Sequence, residues 1–212
     1  MLITRHGGRT DRRRRDDMAR AKSWTKDIVC FETLWDPKRD VDAGTRVSVV
    51  QVFEVAARIN RVRFSHFTCN TRGEFEHDLK VLRARRGSGI LYLGFHGGPG
   101  KVWLNDGSDL SLEALAELMG GRFARWGVHL AGCDTLNPRR VKQARVRSFL
   151  ERTGASIVLG YKHRIWWMES AALDLLIVDW LQWYRDMKYF WRDFRRRYGG
   201  LVRRVGLTAV PG

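Results

Sequence analysis

With 212 residues, 44% hydrophobic and 11% aromatic, the chain has the bulk of one domain with a sizeable core, and a disordered chain is excluded. A formal charge of +16, mostly arginine, excludes an acidic solvating protein. It turns attention to nucleic acid, an anionic surface or an acidic partner, although solvated helix faces use arginine in the same way.

Cys30, Cys69 and Cys133 are too few and too scattered for a disulfide framework, which suits a reducing, cytoplasmic setting. His66 and Cys69 have the spacing of a ligand pair, but no second pair completes a zinc site, so no metal is expected. The most apolar segment, Ala171 to Leu181, is short and holds Asp174 and Asp179, so no membrane span is expected. The basic start lacks the apolar core of a signal peptide.

In chain order, residues 1–22 read as a disordered arginine-rich arm and 23–212 as one domain without repeats or a splitting linker. Met18 is an alternative start. Asp27 to Phe31 reads as the first strand, followed by a loop from Glu32 to Thr45. Val47 to Ile59 has apolar residues at helical spacing, and Val62 to Phe67 alternates like a strand near a sheet edge. Gly73 to Arg85 predicts a helix with Phe75, Leu79 and Leu82 on one face.

Ile90 to Gly94 is an apolar run of strand length, closed by Phe95-His96-Gly97-Gly98. Lys101 to Leu104 reads as a short strand and Asn105-Asp106-Gly107 as a tight turn. A helix follows to Met119, with Ser108 or Asp109 as its cap and Gly120-Gly121 as its stop. Gly127 to Gly132 is a second apolar strand, ending in Cys133-Asp134-Thr135. Pro138 to Arg152 reads as a basic helix and Ser156 to Gly160 as another buried strand. A long helix from Met168 to Met187 precedes a basic aromatic helical extension, about 186–212, helical to about Tyr198, with Leu207 to Val210 as a last edge strand. This alternation predicts a three-layer α/β domain with a mainly parallel sheet.

His96 and Cys133 each fall at the carboxyl end of a buried strand, where open α/β sheets present working groups. If the strands pair, about 4.8 Å apart, an imidazole and a thiol emerge side by side, the minimum for a cysteine nucleophile. The N–H groups of Gly97 and Cys133 are natural oxyanion donors. The following helix starts too late to lend its dipole with much effect.

The order LYLGFHGG, helix, VHLAGCDT resembles the caspase-like (clan CD) cysteine peptidases. GCDT followed by SIVLG and a long helix is most similar to the bacterial CHAT-domain branch, over roughly Ile28 to Tyr184. The resemblance implies a six-stranded sheet, His96 as catalytic histidine, Cys133 as nucleophile, Gly97 as an oxyanion glycine, and a peptide substrate lying as an extra strand. It needs no cofactor, and a partner protein is one possible activator. Related peptidases carry an acid two positions before the cysteine to read basic side chains; here that position is Ala131. Glu32 and Asp134 are therefore the candidates for lining the first specificity pocket, and each has an equally good reading as an ordinary loop acid.

Two other readings use the same residues. HGGPG resembles the oxyanion loop of α/β-hydrolases, but the G-x-S-x-G elbow they need is missing. A catalytically silent scaffold or binding module would share the strand–helix pattern. Its docking patch would come from the aromatics and arginines of the last helices, for a protein or nucleic-acid partner.

Overall fold

The computed structural model describes residues 25–36, 47–85 and 87–212. The expected arm at 1–22, the alternative start at Met18 and most of the loop after the first strand lie outside them.

A six-stranded sheet forms the middle layer. In chain order its strands are β1 (Asp27–Glu32), β2 (Phe64–Thr68), β3 (Gly89–Gly94), β7 (Gly127–Leu130), β8 (Ile157–Tyr161) and β9 (Leu207–Pro211). Across the sheet they run β2-β1-β3-β7-β8-β9, all parallel except the β8–β9 pair. This is the predicted three-layer α/β arrangement, with Val62 to Phe67 correctly read as an edge strand. A second, antiparallel sheet of β4 (His96–Gly98), β5 (Lys101–Trp103) and β6 (Asp109–Ser111) follows directly on β3.

Strand side chains alternate between two cores. Val29, Phe31, Leu91, Leu93, Val128 and Leu130 face a cluster shared with α2 (Arg72–Arg83), α3 (Leu112–Met119) and α4 (Gln143–Thr153). Ile28, Cys30, Ile90, Tyr92, Ile157 and Leu159 face the cluster under α1 (Val50–Asn60), α5 (Trp167–Leu181) and α6 (Met187–Val205).

The helices begin and end where local chemistry dictates. Thr71 and Glu74 form a capping box at α2, Ser111 caps α3 rather than Ser108 or Asp109, and left-handed Gly120, Gly154 and Gly206 close α3, α4 and α6. Two expected helices are corrected. The one read from Pro138 begins only at Gln143, because Asn137 binds Asp134 and shapes a turn. The long helix expected to reach Met187 stops at Leu181. There Gln182 turns inward to clasp the Lys26 backbone in both directions, at 2.7 and 3.0 Å, and Asp186 caps a new helix.

The Lys26 ammonium joins that lock, donating to the carbonyls of Leu181 (2.6 Å) and Tyr184 (2.8 Å), while burial pulls its pKa down to about 8. The basic aromatic stretch expected as the last part of the domain buries Phe190 and Phe194 fully and ends in β9, at the edge of the sheet.

Candidate active site

Register fixes where the two candidate residues emerge. β3 and β7 are parallel neighbours, with Tyr92 opposite His129 and Leu93 opposite Leu130. The ladder runs one step further, the Ala131 N–H donating to Leu93 O at 3.0 Å. Both chains then leave the sheet at the same rim, β3 through Phe95 into His96 and β7 through Gly132 into Cys133.

The two exits interlock. A Cβ on Gly97 would lie 2.6 Å from the Cys133 carbonyl oxygen and 2.8 Å from the Gly132 Cα. A Cβ on Gly132 would lie 2.7 Å from the Phe95 oxygen and 2.8 Å from the Gly97 Cα. Only glycine lets the backbones approach this closely. Thr135, fully buried, pins the exit from below: its hydroxyl donates to Leu130 O at 2.9 Å and accepts from the Tyr161 N–H at 3.3 Å.

His96 is exposed, and its ring is held from one side. Nε2 lies 3.2 Å from the Trp35 carbonyl, and the Trp35 ring meets the imidazole edge-on at 5.2 Å between centroids. A carbonyl can only accept, so Nε2 carries the hydrogen and Nδ1 is the basic nitrogen of the neutral ring. The Cys133 thiol is half-buried, and its sulfur accepts the Ile165 N–H at 3.5 Å. Among the described residues no hydrogen bond joins that sulfur to the His96 ring. The structure thus brings the two backbones together, while each side chain is held by a different backbone group.

The other expected residues are placed as follows. Gly97 is the middle residue of β4, opposite Val102. HGGPG forms β4 and the turn into β5. Asp134 is half-buried in a left-handed conformation (φ 60°) and accepts from Asn137 Nδ2 at 3.0 Å, so its carboxylate braces the turn after Cys133. Glu32 is corrected: it is the last residue of β1 rather than the first of a loop, and it is fully buried. Its carboxylate takes the Ser48 hydroxyl, the Val49 N–H at 3.3 Å and His66 Nε2 at 3.0 Å, tying down the start of α1. Beside it an open pocket of about 440 Å³ is lined by Val47, Ser48, Gln51 and Trp167.

His66 pairs across the sheet with Cys30, not with Cys69, which lies in the opposite core. Cys30, Glu32 and His66 bring one ligand-type atom each within 4.8 Å of one another, the set that could hold a metal ion among the described residues. Sequence spacing along one strand missed it because it spans two.

A second polar group escaped the sequence reading. Asp174 on α5 is buried against the sheet, accepting from the Tyr92 hydroxyl at 2.8 Å and from the Tyr161 hydroxyl. His129 Nε2 lies 3.5 Å from the same carboxylate, and among the described residues neither ring nitrogen has a hydrogen-bond partner. Burial drives Asp174 up to about 7 against the pull of the two hydroxyls, and drives His129 down to about 3. The available signal was four polar residues at inward positions of otherwise apolar elements.

Fold and site together define a three-layer α/β domain carrying a thiol and an imidazole at the carboxyl rim of neighbouring parallel strands. The chain belongs to a family of unknown function, DUF6642, which matches residues 25–208. Among solved structures it is similar to Raptor from Chaetomium thermophilum, at 12% identity and a TM-score of 0.41. That match covers 66% of this chain, which spans 16% of the length of the other. No curated protein matches the chain.

Proposed function

We propose that this domain is a cysteine endopeptidase of the caspase-like kind, with Cys133 as nucleophile and His96 as its base and acid. The observation that carries the reading is the interlock of Gly97 with Gly132 and Cys133, which holds the imidazole strand and the thiol strand in backbone contact at one rim. The sulfur first swings off the Ile165 N–H, and His96 Nδ1 takes its proton. The thiolate attacks the peptide carbonyl carbon, and the electron pair moves onto oxygen.

N–H groups of Gly97 and Cys133 receive that oxyanion. In β4–β5 the Gly98–Lys101 pair closes a two-residue turn, so the next pair, Gly97–Val102, is the one without ladder bonds. The Gly97 N–H therefore faces away from β5. Collapse breaks the C–N bond, the imidazolium protonates the leaving amine, and His96 then deprotonates a water that releases the acyl group and regenerates the thiol. The substrate is an extended protein segment lying along Ile165 and the exposed Trp166. The pocket between Val47 and Trp167, only two residues beyond Ile165, takes one of its side chains. A partner that shifts the Lys162–Trp166 segment frees the thiol, which is the form of activation this reading expects.

The test is a peptide-library cleavage screen with Cys133→Ala as control. Turnover lost in Cys133→Ala and in His96→Ala supports the mechanism, and undiminished cleavage by Cys133→Ala excludes it. A silent scaffold is the second reading, favoured by the thiol's engagement with Ile165. It predicts slow labelling of Cys133 by iodoacetamide, as for buried Cys30 and Cys69, and no change in His96→Ala.

A further inference from the structure

The outward face of α6 is single-signed. The helix has seven basic residues and a single acid, Asp193. Lys188, Arg192, Arg195 and Arg196, spaced by about whole turns, share the side opposite Phe190 and Phe194, and Arg203 is exposed on the segment beyond the kink at Tyr198. All five are exposed, and the first four span about 12 Å of helix at 1.5 Å per residue. Asp193 answers Arg192 at 3.0 Å and Arg196 at 3.5 Å, whereas Lys188, Arg195 and Arg203 have no ion pair among the described residues. Like charges one turn apart repel and weaken a helix, so this face is costly to the isolated domain.

Two further features share the stripe. Tyr189 is 55% exposed with the Arg192 guanidinium 4.7 Å above its ring, and Arg195 lies 5.7 Å over Trp191. Between Arg196 and Arg203 the helix carries Gly199 and Gly200. A Cβ on Gly200 would meet nothing within 4 Å, and one on Gly199 would meet only Arg203 Nη1, at 3.5 Å. Among the described residues no steric contact requires these glycines, which weaken a helix interior and sit beside its kink. Neighbouring Tyr198, where the helix kinks, has φ −117° and ψ 23°, open to any residue. The bare backbone is a notch on the outside, in the middle of the arginines.

We propose that this face of α6 binds single-stranded nucleic acid, the cations tracking phosphates, the notch admitting the backbone and Tyr189 stacking a base. A membrane fits less well, because the apolar face that would enter a bilayer is already in the core. A duplex fits less well, because its stacked bases leave an exposed tyrosine ring without a platform role. The inference does not depend on the peptidase reading, and Cys133→Ala is expected to bind as the wild type does.

The experiment is fluorescence anisotropy of the full chain with a labelled oligothymidine of about 20 nucleotides, across a salt series. Arg192→Glu/Arg195→Glu/Arg203→Glu is expected to lose about 100-fold in affinity, with the log–log salt slope shallower by about 2, at roughly 0.7 per phosphate contact. Tyr189→Ala is expected to lose about tenfold with the slope unchanged. Gly199→Ala/Gly200→Ala should lose several-fold while raising Tm. Reversing three exposed arginines on the other layer, Arg122→Glu/Arg139→Glu/Arg147→Glu, should cost less than threefold.

Equal losses in the two triple variants, or none in either, overturn the proposal. So does equal affinity for a duplex with Tyr189→Ala silent. So does sedimentation with vesicles of equal parts phosphatidylcholine and phosphatidylserine in the absence of oligonucleotide binding. If the glutamate variant unfolds, the matching glutamine variant gives the same readings.

Discussion

Along the chain at β3 and at β7, one polar side chain lies inside the strand and a second, four residues on, lies just beyond its carboxyl end. At the rim, His96 is exposed beside a half-buried Cys133, and its partners are backbone groups at the ends of other elements. Four residues down the same strands, Tyr92 and His129 lie in a dry row with Tyr161, closed over by Asp174 of α5. Proton transfer requires that both protonation states of an imidazole be accessible. In the row burial removes one of them, and His129 stays neutral until about pH 3. Position along a strand, more than residue type, decides whether a histidine is available for chemistry.

The largest expected effect separates the two regions by what they control. In the proposed peptidase, Cys133→Ala lowers kcat/KM by about 10⁴-fold or more, since the nucleophile and its base act as a unit. It leaves Tm within the spread of the wild type, because the thiol fills no core site. Tyr92→Phe should do the reverse, leaving turnover at saturation intact while lowering stability by about 1–2 kcal/mol through an under-satisfied buried carboxylate. Thermal melts and steady-state rates on both variants check this. A rim variant that melts early, or a row variant that loses turnover, would break the division.

Next in size is the interlock. Gly97→Ala forces a methyl to within 2.6 Å of the Cys133 carbonyl oxygen, a contact with backbone that no side-chain rotation relieves. It is expected to cost about 2–3 kcal/mol, as overpacking does, and to lower kcat more than it lowers Tm would suggest. Gly200→Ala, with open space around its Cβ, is the matched control and should be neutral or stabilising. Denaturant midpoints for the pair decide it, and equal destabilisation of both would remove the interlock from the account.

Much of this was legible in the chain. Apolar runs of strand length located β1, β3, β7 and β8, and period-two alternation placed β2 at an edge, because burial on two faces leaves a pattern in sequence. The rim pair followed from where those runs stop. Glu32 was misread because an acid after an apolar run looks like a loop residue, and only the fold brings Ser48, the Val49 N–H and His66 to it. Asp174 read as an interruption of an apolar helix. Its use depends on two tyrosines and a histidine from three other elements meeting at one spot, and no local period records that. The direction of the Cys133 sulfur was equally hidden, since Ile165 reaches it only after β8 has crossed the sheet.

The wild type's own pH dependence is the smallest expected effect, and it sharpens the comparison most because two opposed slopes conceal each other in it. Folding raises Asp174 from 3.8 to about 7, so between those values the folded state holds a proton that the unfolded chain has lost, and stability falls as pH rises. Folding lowers His129 from 6.5 to about 3, so over that range the unfolded chain holds the extra proton and stability rises with pH. From about pH 4 to 6.5 the two slopes oppose each other and nearly cancel. Removing one partner unmasks the other. Relative to wild type, His129→Leu should lose stability with rising pH over that window, by up to about 1.4 kcal/mol per unit, and Asp174→Asn should gain it with the opposite sign. Denaturant melts of the three proteins at half-unit pH steps measure both slopes. Slopes of the same sign in the two variants, or flat differences throughout, would mean that the row holds its protons as water does, and the contrast with the rim would be lost.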